Sequence, residues 1–70
     1  MTKHQFKRKA ETAFLKRNPT ATITGWIGEP NFLKYPTGVK GWSGKFHAIA
    51  EGYKPKIMFA DGDDNYVMVR

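Results

Sequence analysis

The spacing of apolar residues along this 70-residue chain changes once, at Asn18-Pro19. Before that point, four apolar residues have the spacing of one stripe on an α-helix: Phe6, Ala10, Ala13 and Phe14. After it, apolar and polar residues alternate, which is typical of half-buried strands. A single switch from helical to strand periodicity predicts an α+β fold, with one helix laid on an antiparallel sheet.

The helix is predicted over about residues 2–17. Thr2 is a candidate N-cap, because a threonine side chain can accept a hydrogen bond from a free amide of the first turn. Asn18 ends the helix, because a residue that precedes proline is pushed out of the α region.

Four strands are predicted, over about residues 20–28, 41–51, 56–60 and 65–70. Alternation in the first strand predicts that Ala21, Ile23 and Ile27 face one side and that the other side carries Thr20, Thr22, Thr24 and Trp26. In the second strand, the same argument separates one face, Trp42, Phe46, Ala48 and Ala50, from the other, Lys45, His47, Ile49 and Glu51.

The last two strands are predicted to form a hairpin that turns at Asp61-Gly62. In that arrangement Ile57 and Phe59 would face the core together with two valines, Val67 and Val69. Residues 30–41 contain two prolines and two glycines without a clear period, so they are predicted to be a long connection.

These elements predict a single domain over residues 1–70, in which the N-terminal helix packs on a curled antiparallel sheet of three to four strands. The alternative is a small barrel of the SH3 or OB type that carries an N-terminal helix.

Enzymatic activity is not expected, because no characteristic spacing links the side chains that a catalytic set needs. Ser43 is the only serine, His4 and His47 are the only histidines, and there is no cysteine. The glycines around Gly44-Lys45 do not have the spacing of a phosphate-binding P-loop. The acidic run that starts at Asp61 lacks the glycine and the glutamate of a calcium loop, so no metal and no cofactor are predicted.

Positive charge is concentrated at one end of the chain. Residues 1–17 hold six of the twelve Lys and Arg residues and one of the six acidic residues, so they carry +5 of the net charge of +6. With a pI near 9.9, this asymmetry favours binding to a polyanion. A solvated helix surface that binds nothing is the alternative.

The favoured hypothesis is a non-catalytic module that binds DNA or RNA with low sequence specificity. Its cations would contact phosphates and its aromatic residues, Trp26 above all, would stack on bases. The candidate residues are Lys3, Lys7, Arg8, Lys9, Lys16, Arg17, Trp26, Lys34, Tyr35, Lys40, Lys45 and His47. Two alternatives stay open: Trp26 packs against Phe32 or Leu33, and the cations form two partial sites because the helix covers the apolar face of the sheet.

The second hypothesis is a small accessory or regulatory protein-interaction module, of the kind that phages encode. Its basic helix would dock on an acidic partner protein, and its last strand could pair with a partner strand or with a second copy. The chain is expected to be a monomer or a weak homodimer. No segment approaches the ~20 apolar residues of a membrane span, and the absence of cysteine fits the cytoplasm.

Overall fold

The computed structural model describes residues 1–34, 36–38, 40–50 and 54–70. These residues form one helix followed by five strands. In chain order the elements are α1 (Lys3–Arg17), β1 (Thr22–Trp26), β2 (Asn31–Lys34), β3 (Lys40–Ile49), β4 (Lys56–Gly62) and β5 (Val67–Val69).

Helix α1 begins at a capping box. The Thr2 hydroxyl accepts a hydrogen bond from the Gln5 backbone N–H at 3.1 Å, and the Gln5 side-chain oxygen accepts one from the Thr2 N–H at 2.8 Å. At the other end, the Asn18 backbone N–H donates to the Phe14 carbonyl oxygen at 3.0 Å. The predicted helix and its Asn18 boundary are therefore confirmed.

The strands form one open antiparallel sheet with β3 at its centre. Both β1 and β2 pair with the same side of β3, β1 with its C-terminal half and β2 with its N-terminal half. On the other side of β3 lies β4, and β5 forms the edge beyond it. The predicted helix-on-sheet fold is confirmed, whereas the barrel alternative is wrong because the sheet does not close.

The core lies between α1 and one face of the sheet, and the buried residues in it are Phe6, Ala10, Phe14, Phe46, Ala48, Ala60 and Val69. The Phe14 and Phe46 rings meet edge to face, with centroids 5.5 Å apart. Alanines at Ala10, Ala48 and Ala60 let the helix approach the sheet closely. The predicted helical stripe is confirmed, and Ala13 packs at its margin.

Strand β2 is a departure from the prediction, because it lies inside the segment that was predicted to be a connection. Its four residues pair with β3 from Asn31 opposite Ser43 to Lys34 opposite Lys40. The Phe32 ring lies against Trp42, with centroids 5.1 Å apart. All four residues of β2 are exposed, so pairing with β3 and this aromatic contact hold it in place.

The predicted orientation of Trp26 is wrong. The pairing of β1 with β3 shifts register between Ile23 and Gly25, as in a β-bulge. The extra residue turns Trp26 to the helix side of the sheet, where Ile23 also packs against the core. Strict alternation placed these two residues on opposite faces.

The predicted orientation of Ile57 and Phe59 is also wrong. Asp61 and Gly62 belong to β4 rather than to the turn, and Ala60 lies opposite Val69 in the hairpin. Ala60 therefore shares the covered face with the valines of β5. Alternation then places Ile57 and Phe59 on the open face.

Candidate functional site

The face of the sheet that α1 does not cover carries apolar side chains and cations together. In the middle of this face, Lys45 of β3 lies opposite Phe59 of β4. On the other side of Phe59, Arg70 exchanges both backbone hydrogen bonds with it at 2.8 Å. We call the row Lys45, Phe59 and Arg70, together with His47 and Ile57, the open-face cluster.

Phe59 is the most accessible aromatic side chain at the centre of the sheet, with 52% of its surface exposed. Among the described residues it forms no ring–ring contact, whereas Phe32, which is 56% exposed, lies against Trp42. Side chains directly opposite each other in a sheet have their Cβ atoms about 5 Å apart. The Phe59 side chain therefore projects from the sheet between the positions of Lys45 and Arg70, with about half of its surface exposed to solvent.

The remaining residues of the cluster extend it along the sheet. His47 lies opposite Ile57, which is 47% exposed. The Arg70 guanidinium lies 3.4 Å from the Asp61 carboxylate, so one of the two cations beside Phe59 has an anionic neighbour. Both side chains of this ion pair are accessible to solvent, and a phosphate can therefore compete with Asp61 for Arg70.

The first turns of the helix hold cations that already have a carboxylate partner. Lys3 Nζ lies 2.9 Å and Lys7 Nζ 3.6 Å from the Glu29 carboxylate. The hydrogen bond from Lys3, followed by the charges of Lys3 and Lys7, holds the pKa of Glu29 below its ordinary value. Lys7 Nζ also lies 5.8 Å from the ring centroid of Trp26, a cation–π contact.

A second carboxylate lies near the start of the helix. The N-terminal ammonium group lies 2.8 Å from Asp64, and its hydrogen bond is the main cause that lowers the pKa of this carboxyl. Lys9 Nζ donates a hydrogen bond of 3.5 Å to the Asp64 carbonyl oxygen. These contacts tie the N-terminal end of α1 to the β4–β5 turn, so they stabilise the fold.

Four helix cations, Arg8, Lys9, Lys16 and Arg17, are exposed and form no ion pair with a carboxylate of the described residues. They belong to a helix that covers one face of the sheet, whereas Lys45 and His47 lie on the other face. The predicted cations therefore do not converge on one surface.

The structure places Trp26 between helix and sheet. Its ring centroid lies 6.0 Å from that of Phe6 and 4.9 Å from that of Phe46, and its indole N–H donates to the Glu11 carboxylate at 3.5 Å. Trp26 therefore does not share a surface with Lys45 and His47. Its ring packs against Phe6 and Phe46 rather than against Phe32 or Leu33.

The last three candidates lie near the β2–β3 connection. Lys34 and Lys40 are exposed and face each other across the two strands, at the end of the sheet. Tyr35 lies outside the described residues.

Ile57, Phe59 and Arg70 are the members of the open-face cluster that the sequence did not predict as site residues. The signal that could have found them is the hairpin register. If Ala60 is aligned with Val69, a small residue faces the helix, and Phe59 points to the same side as Lys45. The predicted turn at Asp61-Gly62 implied a different alignment of the two strands, because both residues belong to β4.

Comparison with known proteins gives no relative: the chain matches no family model, no curated protein and no solved structure. In the part of the chain that the structure describes, the helix is neither long enough nor apolar enough to cross a membrane.

Proposed function

We propose that this protein is a non-catalytic module that binds single-stranded DNA or RNA on the open face of its sheet, with low sequence specificity. The observation that supports this proposal is the position of Phe59. Its half-exposed ring lies at the centre of the open face, directly between Lys45 and Arg70.

The chemistry follows from the spacing of these three side chains. A base stacks on the Phe59 ring, and the flexible Lys45 and Arg70 side chains reach the phosphates on either side of that base. Ile57 adds apolar surface beside the ring, and His47 lies opposite Ile57 on the neighbouring strand.

A single strand fits this face better than a duplex. In a duplex the bases are stacked on each other, so the Phe59 ring could reach a base face only if that stack were opened. Every base has a π face, and stacking therefore discriminates weakly between sequences. The exposed cations contact phosphates, which carry no sequence information.

The site is tested by comparing Phe59→Ala with Phe32→Ala in fluorescence anisotropy titrations of labelled single-stranded oligonucleotides. Both phenylalanines are about equally exposed, but Phe32 lies beside Trp42 at the end of the sheet. We expect Phe59→Ala to weaken binding roughly fivefold to 150-fold, since one stacked base contributes roughly 1–3 kcal/mol. We expect Phe32→Ala to leave the affinity nearly unchanged.

The same titration with duplex DNA and duplex RNA should show weaker binding than with the single strands. The proposal is wrong if the wild-type protein binds no oligonucleotide at about 50 mM salt, where phosphate contacts are strong. It is also wrong if the two alanine variants lose affinity equally.

A further inference from the structure

The outer edge of β5 is free for a second interaction, and of the open-face cluster only Arg70 also lines the groove beside this edge. Arg70 and Met68 direct their backbone groups toward β4, opposite Phe59 and Asp61. In an antiparallel pair, alternate residues point their N–H and C=O groups the other way. Val67 and Val69 therefore present these groups at the edge, and no described residue forms a hydrogen bond with them.

A groove of about 650 Å³ lies beside this edge, between the C-terminal half of α1 and strands β4 and β5. Its floor is apolar and includes Ala13, Met58 and Val67. Lys16 and Arg17 line it on the helix side. None of the described side chains that line the groove is acidic, so an entering chain meets positive charge and apolar surface together.

We propose that this groove binds an extended acidic peptide segment of a partner protein, which adds a strand to the free edge of β5. The peptide backbone pairs with the N–H and C=O groups of Val67 and Val69. Its acidic side chains on the helix side meet Lys16 and Arg17, and the apolar side chains that alternate with them lie on the open side of the sheet, beside the exposed Met68. This binding goes beyond the proposed function, because its ligand is of another class and its site shares only Arg70 with the open-face cluster.

Charge argues against the other occupants of the groove. A second copy of the chain would bring its own Lys16 and Arg17 against the same two residues, and each copy carries a net charge of +6. A nucleic-acid strand would be attracted to the cations, but its phosphates would face the carbonyl oxygens of Val67 and Val69. An acidic peptide satisfies both the cations and the backbone edge.

The direct test is a labelled peptide of about eight residues that alternates glutamate and valine, long enough to span a short strand. The control peptide has the same length and alternates lysine and valine. When the full chain is added, we expect the fluorescence anisotropy of the acidic peptide to rise and that of the lysine peptide to stay unchanged. In hydrogen-exchange NMR, the acidic peptide should protect the Val67 and Val69 amides, whereas the Met68 and Arg70 amides are protected before it is added.

The matched variants are Lys16→Gln/Arg17→Gln and Arg8→Gln/Lys9→Gln. Each removes one lysine and one arginine from the helix surface, but only the first pair lines the groove. We expect the first double variant to bind the acidic peptide about fivefold more weakly, since two exposed ion pairs are lost. The second double variant should bind nearly as the wild type does.

Several outcomes would overturn the proposal. These are failure of the acidic peptide to bind, equal binding of the lysine peptide, or binding without protection of Val67 and Val69. Protection of the same two amides by an oligonucleotide, or by dimerisation at higher protein concentration, would assign the groove to the other occupants.

Discussion

At the scale of single residues, the cations of this protein differ by what already lies next to them. Lys3 and Lys7 share the Glu29 carboxylate, and Arg70 has Asp61. Lys45, by contrast, forms no ion pair with the described residues. A cation in the sequence is therefore not always available to a ligand. In the helix, Lys3 and Lys7 already form ion pairs within the fold.

Glu29 allows a test of whether the ion pairs of the helix cations stabilise the fold. Because its pKa is lowered in the folded state, its ion pairs stabilise the fold above the ordinary pKa of about 4.5, and this stabilisation is lost as the pH falls through the lowered value. We expect Glu29→Gln to lower stability at neutral pH and to reduce the loss of stability on acidification. Urea unfolding of both proteins between about pH 7 and pH 3 measures this difference.

The control for Glu29 is removal of the cations. Lys3→Gln/Lys7→Gln should produce the same smaller response to acid, because Glu29 then has no partner to lower its pKa. An unchanged acid response in both variants would mean that these contacts contribute nothing to stability.

At the scale of elements, the helix depends on how its first turn is capped. Thr2→Ala removes the hydroxyl that accepts the Gln5 N–H, and we expect it to cost about 1 kcal/mol. For a domain of this size, that lowers the melting temperature by about 4–8 °C. Thr12→Ala is the matched control, since Thr12 is an exposed interior position of the same helix, and it should not lower the melting temperature.

The β4–β5 hairpin depends on the absence of a side chain at Gly62. A Cβ there would overlap the Tyr66 carbonyl oxygen and would lie 2.6 Å from Val67 Cα, and both are backbone atoms. We expect Gly62→Ala to cost about 1–3 kcal/mol in urea unfolding, because the strands must separate locally. Gly44→Ala should cost less, since its nearest atom would be a Trp26 ring carbon 3.1 Å away. Equal stability of Gly62→Ala and the wild type would contradict the observed hairpin register.

The elements also show which parts of the fold the sequence could predict. Helix α1 and the alternation of β3 were predictable, because the periodicity of each lies within its own segment. Strand β2 was not, because its four exposed residues have no core-facing pattern of their own and pair only because β3 lies beside them.

The candidate site was predictable only in part, for a related reason. Lys45 and His47 were placed on the correct face by the alternation of β3. The side to which Trp26 and Phe59 point depends on a register shift in β1 and on the hairpin register of β4, and each is set by contacts between strands. One extra residue in a strand moves the following side chains to the other face.

At the scale of the whole molecule, the helix divides the surface into two separate regions of positive charge. Arg8, Lys9, Lys16 and Arg17 belong to the helix on the covered side of the sheet, whereas Lys45 and Arg70 lie on the open side. A single nucleic-acid strand bound across Phe59 therefore contacts the second group only. This arrangement makes the two groups experimentally separable, because one lysine and one arginine can be replaced together in either group.

The measurement that tests the central claim most directly is the salt dependence of single-strand binding in three proteins. These are the wild type, Lys45→Gln/Arg70→Gln and Arg8→Gln/Lys9→Gln, titrated between about 50 and 200 mM salt. Two phosphate contacts give a slope of roughly −1.4 in the logarithm of affinity against the logarithm of salt concentration.

We expect Lys45→Gln/Arg70→Gln to bind weakly with a slope near zero. Arg8→Gln/Lys9→Gln, which loses the same net charge, should keep the wild-type slope. The reverse pattern, with the slope lost in the helix variant and kept in the sheet variant, would show that phosphates bind to the helix and would contradict a binding site on the open face.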